Sequence, residues 1–149
     1  MKKAIAVLGA VFAVFLSGIV LAPAASAGAY GCAGSQVDSY PMYGEPGVSY
    51  GTIYLYYDTS TGKNCAVMVS TAAGGYGVKK SMQLYLRVCS QTTDTGACTE
   101  TGGAGDNGNY AYYAGPVSVK AAGHCIRVVG VIGPYKGNYA GANDVGHCD

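Results

Sequence analysis

Short runs of alternating apolar and polar residues, parted by glycine-rich turns, recur along this chain, and no stretch keeps a helical period for three turns. Ser49–Asp58 sets Ile53, Leu55 and Tyr57 on one face against Thr52, Tyr54 and Tyr56 on the other. The turn Thr59-Ser60-Thr61-Gly62-Lys63-Asn64 follows, and Cys65–Ser70 reads as the returning strand. Met82, Leu84, Leu86 and Val88 line one face of a third strand, opposite Gln83, Tyr85, Arg87 and Cys89. Thr101–Asn109 reads as a flexible segment. Tyr110–Lys120 then forms another strand, with Val117 and Val119 inward and Ser118 and Lys120 outward. Ala121-Ala122-Gly123 turns it into His124–Ile132 as a second hairpin, and Gly133–Asp149 reads as an irregular tail pinned by Cys148. The pattern predicts an all-β fold, a small antiparallel sandwich or barrel.

The first 27 residues stand apart. Lys2 and Lys3 precede an uncharged apolar stretch, Ala4–Ala22, and Ala25-Ser26-Ala27 supplies an A-x-A cleavage site before Gly28. The stretch is nearly long enough to span a bilayer, but Pro23, the small residues and the lack of a later apolar run favour a cleaved signal peptide. A lipidated Cys32 would need an aliphatic residue upstream, where the chain has Ala29-Tyr30-Gly31. The expectation is a signal peptide, residues 1–27, and a single secreted β domain, residues 28–149, with no stable membrane insertion. Cleavage removes both Phe residues and two of the nine basic residues, and leaves all 14 Tyr and all eight acidic residues. The mature chain thus carries a slight excess of acid and offers no basic footprint for nucleic acid.

All six cysteines lie in the mature part. An even number in an exported chain implies a disulfide framework, with fifteen pairings open. The expected pairs are Cys89–Cys98, which closes a short Thr- and Gly-rich excursion, Cys125–Cys148 and Cys32–Cys65. A zinc site would need closely spaced ligands such as C-x₂-C, which the chain lacks. His124-Cys125 and His147-Cys148 put neighbouring residues on opposite faces of a strand. No metal or other cofactor is expected.

Other motifs weaken under the geometry their chemistry demands. Gly47-Val48-Ser49-Tyr50-Gly51 matches G-x-S-x-G, yet a nucleophile elbow needs a strand before the serine and a helix after it. Here Pro46 precedes the motif and a strand follows. Gly103-Ala104-Gly105-Asp106-Asn107-Gly108 matches G-x-G-x-x-G but leads to a strand, not the helix a dinucleotide requires. Asp106-Asn107-Gly108-Asn109 lacks the spacing and closing Glu of a calcium loop and reads as a plain turn. The acidic residues fall mostly in turns and tails, so no paired carboxylates stand out. The chain is expected not to be an enzyme.

Tyrosine is then the informative surface residue. Tyr54 and Tyr56 share the expected outer face of one strand, and Tyr110 and Tyr112 a face of another. Flat, amphipathic and cheap to order, such rings are candidates for contacting sugars or peptides.

Several segments resemble the spore-associated protein A family of streptomycetes and related actinobacteria. They are Tyr113-Ala114-Gly115-Pro116-Val117-Ser118-Val119, Ala122-Gly123-His124-Cys125-Ile126 and Val145-Gly146-His147-Cys148, with Gly51–Leu55 and Thr61–Cys65 similar as well. The resemblance implies a small exported protein found with the spore or aerial-hypha surface and without an established enzymatic activity. The chain departs from the family pattern at Arg127-Val128, where Asp-Trp is often found. The leading expectation is a secreted, non-enzymatic protein associated with the spore or hyphal surface, partnered by an envelope component. The alternative is a glycan- or peptide-binding module using its Tyr faces. A small secreted enzyme inhibitor presenting Thr92–Ala97 ranks third.

The chain-entropy model assigns the three loops roughly 2.7, 3.5 and 3.8 kcal/mol, an upper bound of about 10 kcal/mol in all. A domain's net stability is only about 5–15 kcal/mol. Reduction is therefore expected to unfold the mature protein at moderate temperature, and an unchanged circular dichroism spectrum in excess reductant would defeat that expectation.

Overall fold

Alternation places Ile53 and Leu55 on one inner face and Met82, Leu84 and Leu86 on another, all without exposed surface. In the computed structural model, which describes residues 28–148, these side chains belong to β2 (Val48–Asp58) and β4 (Lys80–Cys89). They are two of eight strands among the described residues. The others are β1 (Ser35–Glu45), β3 (Lys63–Ser70), β5 (Glu100–Tyr110), β6 (Tyr113–Lys120), β7 (Ile126–Tyr135) and β8 (Asn138–Gly146). The expected signal peptide, residues 1–27, lies outside the described residues. Every pairing is antiparallel, in the order β5-β4-β7-β8-β1-β2-β3-β6, and β5 and β6 approach each other to make a nearly closed barrel.

The core fills by matching large residues to small ones. A Cβ at Gly130 of β7 would meet Ile53 Cδ1 at 2.6 Å and the sulfurs of Met68 and Met42 at 3.0 and 3.2 Å. The large side chains of β1, β2 and β3 reach across the barrel into that space. A methyl group added there would overpack a core that has no slack. Outside β2 and β3, a smaller cluster of Cys32, Tyr56, Cys65 and Val67 lies buried, with Tyr54 and Val69 against it.

Two seams of the barrel hold little backbone pairing. β1 and β8 share one register pair, Tyr43 with Gly141, and no ladder joins β5 to β6. Side chains take over there. Asp106 of β5 accepts a hydrogen bond from the Gly115 amide of β6 at 2.7 Å and another from the Tyr110 hydroxyl. Across the other seam, Glu45 Oε1 accepts from Asn138 Nδ2 at 2.6 Å and from the Tyr50 hydroxyl at 3.1 Å. His147 Nε2 lies 3.0 Å from Asp38 Oδ2. Burial raises the Asp38 carboxyl, but the hydrogen bonds from His147 and the Ser39 amide outweigh it and hold the group below its ordinary value.

Four expectations are corrected. Thr101–Asn109 is not flexible: it forms most of β5, paired with β4 from Lys80↔Tyr110 to Cys89↔Glu100, so Asp106–Asn109 is strand and not turn. Glycine hides this strand from a periodicity argument, because Gly103 and Gly105 leave room for Arg87 and Tyr85. A Cβ on Gly105 would lie 2.4 Å from the Tyr85 ring. Tyr110–Lys120 is not one strand, since it bends at Ala111-Tyr112. Nor do β6 and β7 form a hairpin: β6 pairs with β3, and β7 with β4 and β8. Finally, the expected tail is not irregular over Gly133–Gly146. It completes β7 and supplies β8, whose inward residues, Ala140 and Ala142, are too small to announce themselves.

Strand direction alternates along the chain, so the connections sort into two ends. The β1–β2, β3–β4, β5–β6 and β7–β8 connections gather at one. At the other lie the disulfides Cys32–Cys65, Cys89–Cys98 and Cys125–Cys148, and no described cysteine is free.

Asp106→Ala removes both acceptors from the β5–β6 seam. We expect a loss of about 1–3 kcal/mol, read as a lower urea midpoint with an unchanged slope. A variant that unfolds at the wild-type midpoint would show that Asp106 does not hold the seam.

Candidate functional site

The end without disulfides is where exposed aromatic side chains collect. Tyr43, Tyr76, Val78, Tyr112, Tyr113 and Tyr139 are all exposed there, Tyr76 at 55% and Tyr112 at 50%. Exposed apolar side chains scattered singly are ordinary, whereas a group of them marks an interaction surface. The Tyr76 and Tyr112 rings meet edge to face with centroids 5.0 Å apart. Tyr113 meets Tyr30, from the short 3-10 turn Ala29–Gly31, at 5.3 Å. Beside them, Tyr110, Ala111, Tyr112, Tyr113 and Gly115 line an open depression of about 320 Å³, near the lower limit of small-ligand sites.

Residues 71–79, between β3 and β4, hold these rings in place. Thr71 anchors the start, its amide donating to the Tyr50 carbonyl at 2.9 Å and its hydroxyl to the Ser49 carbonyl at 2.6 Å. Gly74 packs so closely on Tyr50 that a Cβ would lie 1.8 Å from its carbonyl oxygen. Gly75, at φ +79°, packs against the Tyr135 ring. The amide of Gly77 donates to the Ala111 carbonyl at 2.8 Å and that of Ser70 to the Tyr112 carbonyl at 3.0 Å, fastening the segment to the β5–β6 bend.

Lys80 lies beneath this junction. Its side chain is buried, and its ammonium donates to the carbonyls of Gly75 at 2.9 Å, Val78 at 3.1 Å and Ala111 at 3.5 Å. No carboxylate is among these partners. Burial pushes the lysine down from its ordinary value of 10.5.

The four tyrosines expected as a binding surface are dispersed. Tyr54 and Tyr56 do share a face of β2, but that face is covered by the N-terminal segment and the Cys32–Cys65 bridge. Tyr56 is 5% exposed, and burial, with Tyr30 and Tyr54 nearby, raises its phenol. Tyr110 ends β5 packed on the core, its hydroxyl given to Asp106, and this hydrogen bond raises its phenol. Tyr112 alone of the four is fully presented. The sequence pattern did not mark Tyr30, Tyr43, Tyr76, Tyr113 or Tyr139. The signals available were a tyrosine set among glycines, Gly74-Gly75-Tyr76-Gly77, and the doublet Tyr112-Tyr113.

The remaining motifs fall elsewhere. The Ser49 hydroxyl donates to the Gly51 carbonyl at 2.9 Å within β2, and His124 is exposed at the opposite end. Gly103–Gly108 lies inside β5. Thr92–Ala97 is exposed at the disulfide end, where Asp94 accepts from the Gly96 amide at 3.0 Å. A second cleft of about 430 Å³ opens between Thr101–Gly103 and Ser118–Lys120, where β5 and β6 part.

Spore-associated protein A of Streptomyces coelicolor is 34% identical to this chain over 148 residues, covering 93% of the chain and 85% of that protein. No family model matches the chain, and no solved structure matches it.

The depressed Lys80 fixes the sign of a pH effect. The unfolded chain holds more protons than the folded one between the folded value and 10.5, so this group favours folding increasingly as pH rises through that window. Urea titrations should show wild type gaining on Lys80→Met as pH is raised toward 10.5. A difference that stays constant over that range would mean the ammonium is not desolvated.

Proposed function

The chain belongs to the spore-associated protein A family, and on that premise we propose that it is an exported, non-catalytic protein of the spore or hyphal surface. It is held there without a covalent link by the tyrosine-rich end of its barrel. The observation that carries this reading is the grouping of Tyr43, Tyr76, Val78, Tyr112, Tyr113 and Tyr139, all exposed, at one end of the fold. The relative's name supports a spore association.

The ligand we propose is envelope polysaccharide. Ring faces stack on the apolar faces of sugars, and phenol hydroxyls reach their rims. The ionisable groups at this end are largely turned to internal use: Glu45 on Asn138 and Tyr50, Asp106 on Gly115 and Tyr110, and Lys80 on three carbonyls. Lys79 and Lys136 stay exposed, Lys136 lying 5.5 Å from the Tyr135 ring. What the end chiefly presents is therefore aromatic faces and hydroxyls.

Co-sedimentation of the mature protein with isolated streptomycete envelope polysaccharide tests this. Tyr76→Ala with Tyr112→Ala should weaken binding by about tenfold, equivalent to ~1.4 kcal/mol, with an unchanged circular dichroism spectrum. His124→Ala, at the far end, should bind as wild type does. Full binding by the double variant sinks the assignment of the site. Binding that requires a protease-sensitive envelope component sinks the assignment of the ligand and points to a peptide.

A further inference from the structure

We propose that Tyr76 and Tyr112 are a site of oxidative cross-linking, joined ring to ring as dityrosine within one chain. This concerns the same end of the barrel as the binding site but does not depend on polysaccharide recognition. Three observations converge on it.

The first is proximity. Tyr76 and Tyr112 lie 36 positions apart in the sequence, yet their rings meet edge to face at 5.0 Å. The edge of a tyrosine ring carries the carbons ortho to the hydroxyl, which are the atoms that couple. Both side chains are exposed, so their rings reorient within picoseconds to nanoseconds and bring those carbons together. Their backbones are meanwhile held by the Gly77 amide on Ala111 and the Ser70 amide on the Tyr112 carbonyl.

The second is the lack of competing surface groups. The chain has no Trp. Met42, Met68 and Met82 have no exposed surface, and all six cysteines are paired in disulfides. These are the side chains that ordinarily consume oxidant first. Among the described residues, the readily oxidised groups open to solvent are phenols.

The third is the placement of the existing covalent links. The three disulfides all lie at the opposite end, so the tyrosine-rich end is held by hydrogen bonds and packing without a disulfide. A Tyr76–Tyr112 bond would fasten residues 71–79 to the β5–β6 bend. It would be a fourth staple, where the fold has none, and one that a reductant cannot open. Tyr30 and Tyr113, at 5.3 Å, offer a second pair that would tie the N-terminal turn to β6.

The reaction needs an oxidant, which we assign to hydrogen peroxide acting through a haem peroxidase. Each phenol loses one electron and one proton to become a phenoxyl radical. The two radicals join through their ortho carbons, and the hydrogen on each of those carbons moves to the ring oxygen, restoring two phenols. In sum, two ring C–H bonds break and one C–C bond forms. The two electrons and two protons released reduce one peroxide to two waters.

The test treats dilute mature protein, its disulfides intact, with peroxide and a haem peroxidase. The expected product is monomeric, fluoresces as dityrosine, has lost two hydrogen atoms per bridge, and yields a cross-linked peptide joining Tyr76 to Tyr112. It should melt at a higher temperature than untreated protein. Protein extracted from spore envelopes should carry the same bridge. Tyr76→Phe keeps the ring but cannot form the radical, so it should lose this bridge. Loss of binding with the bridge intact would count against the binding site and leave this proposal standing. Coupling through other tyrosines in place of this pair, products that are covalent dimers only, or unmodified Tyr76 and Tyr112 in spore-extracted protein would each overturn it.

Discussion

A barrel that closes without completing its ladders must be held shut by something other than the backbone. In this protein β5 and β6 face each other with no ladder, and β1 meets β8 through a single register pair. The polar groups of an unpaired edge go to water or to side chains, and an open edge invites pairing with another chain. Asp106 answers one such group directly by accepting from the Gly115 amide. Because its other oxygen takes the Tyr110 hydroxyl, the same carboxylate sets where β5 ends and how the chain turns at Ala111-Tyr112. The presentation of Tyr112 and Tyr113 thus descends from the closure of the seam. Glu45 has the matching role across the barrel, where it gathers Tyr50 and Asn138.

The unequal ends of the molecule follow from the same constraint. Where β5 and β6 part, the cleft between Thr101–Gly103 and Ser118–Lys120 opens beside the disulfide end. There covalent links tie down the chain around Cys89, Cys98, Cys125 and Cys148. The other end has Asp106 and the 71–79 segment. That segment behaves as structure because Thr71, Gly75, Tyr76, Gly77 and Val78 each have an amide engaged by a carbonyl. Lys80 collects three more carbonyls from below. Burying an ammonium without a counter-ion is costly, so this junction has been bought with stability for its geometry. A buried cation among carbonyls specifies one arrangement of the segment, since displacing any of the three would strand charge.

What could be read from the sequence depended on side-chain size. Ile53, Leu55, Met82, Leu84 and Leu86 alternate with polar residues, and their strands were visible as a result. β5 and β8 were not, and for the same reason in both cases. In β5 the outward positions Gly103 and Gly105 carry no side chain, because Arg87 and Tyr85 of the neighbouring strand lie over them. In β8 the inward Ala140 and Ala142 pack into a core whose bulk comes from larger side chains such as Met42, Ile53 and Met68. A strand whose partner supplies the bulk has no periodicity of its own to show. The candidate site was half legible for a related reason. Tyr54 and Tyr56 were correctly placed on one face of a strand, but sequence could not reveal that the chain around Cys32 folds back over that face. Tyr76 lay in a segment with no pattern, and only its glycine neighbours marked it.

The use of tyrosine as the sole Phe-, Trp- or Tyr-type aromatic among the described residues has a physical reason. Phenylalanine could fill the same space but could not close the seams, where Tyr50 gives its hydroxyl to Glu45 and Tyr110 gives its own to Asp106. Tryptophan has a donor but no acceptor and demands more room than the gaps beside Gly44, Gly75 and Gly105 provide. One residue type therefore does two things at the same end of the barrel. Turned inward, it joins core packing to the carboxylates that hold the strands together. Turned outward at Tyr76, Tyr112 and Tyr113, it offers rings with a polar rim. The inner tyrosines fix the backbone from which the outer ones project, so a substitution that loosens Asp106 or Glu45 reaches the exposed surface without touching it.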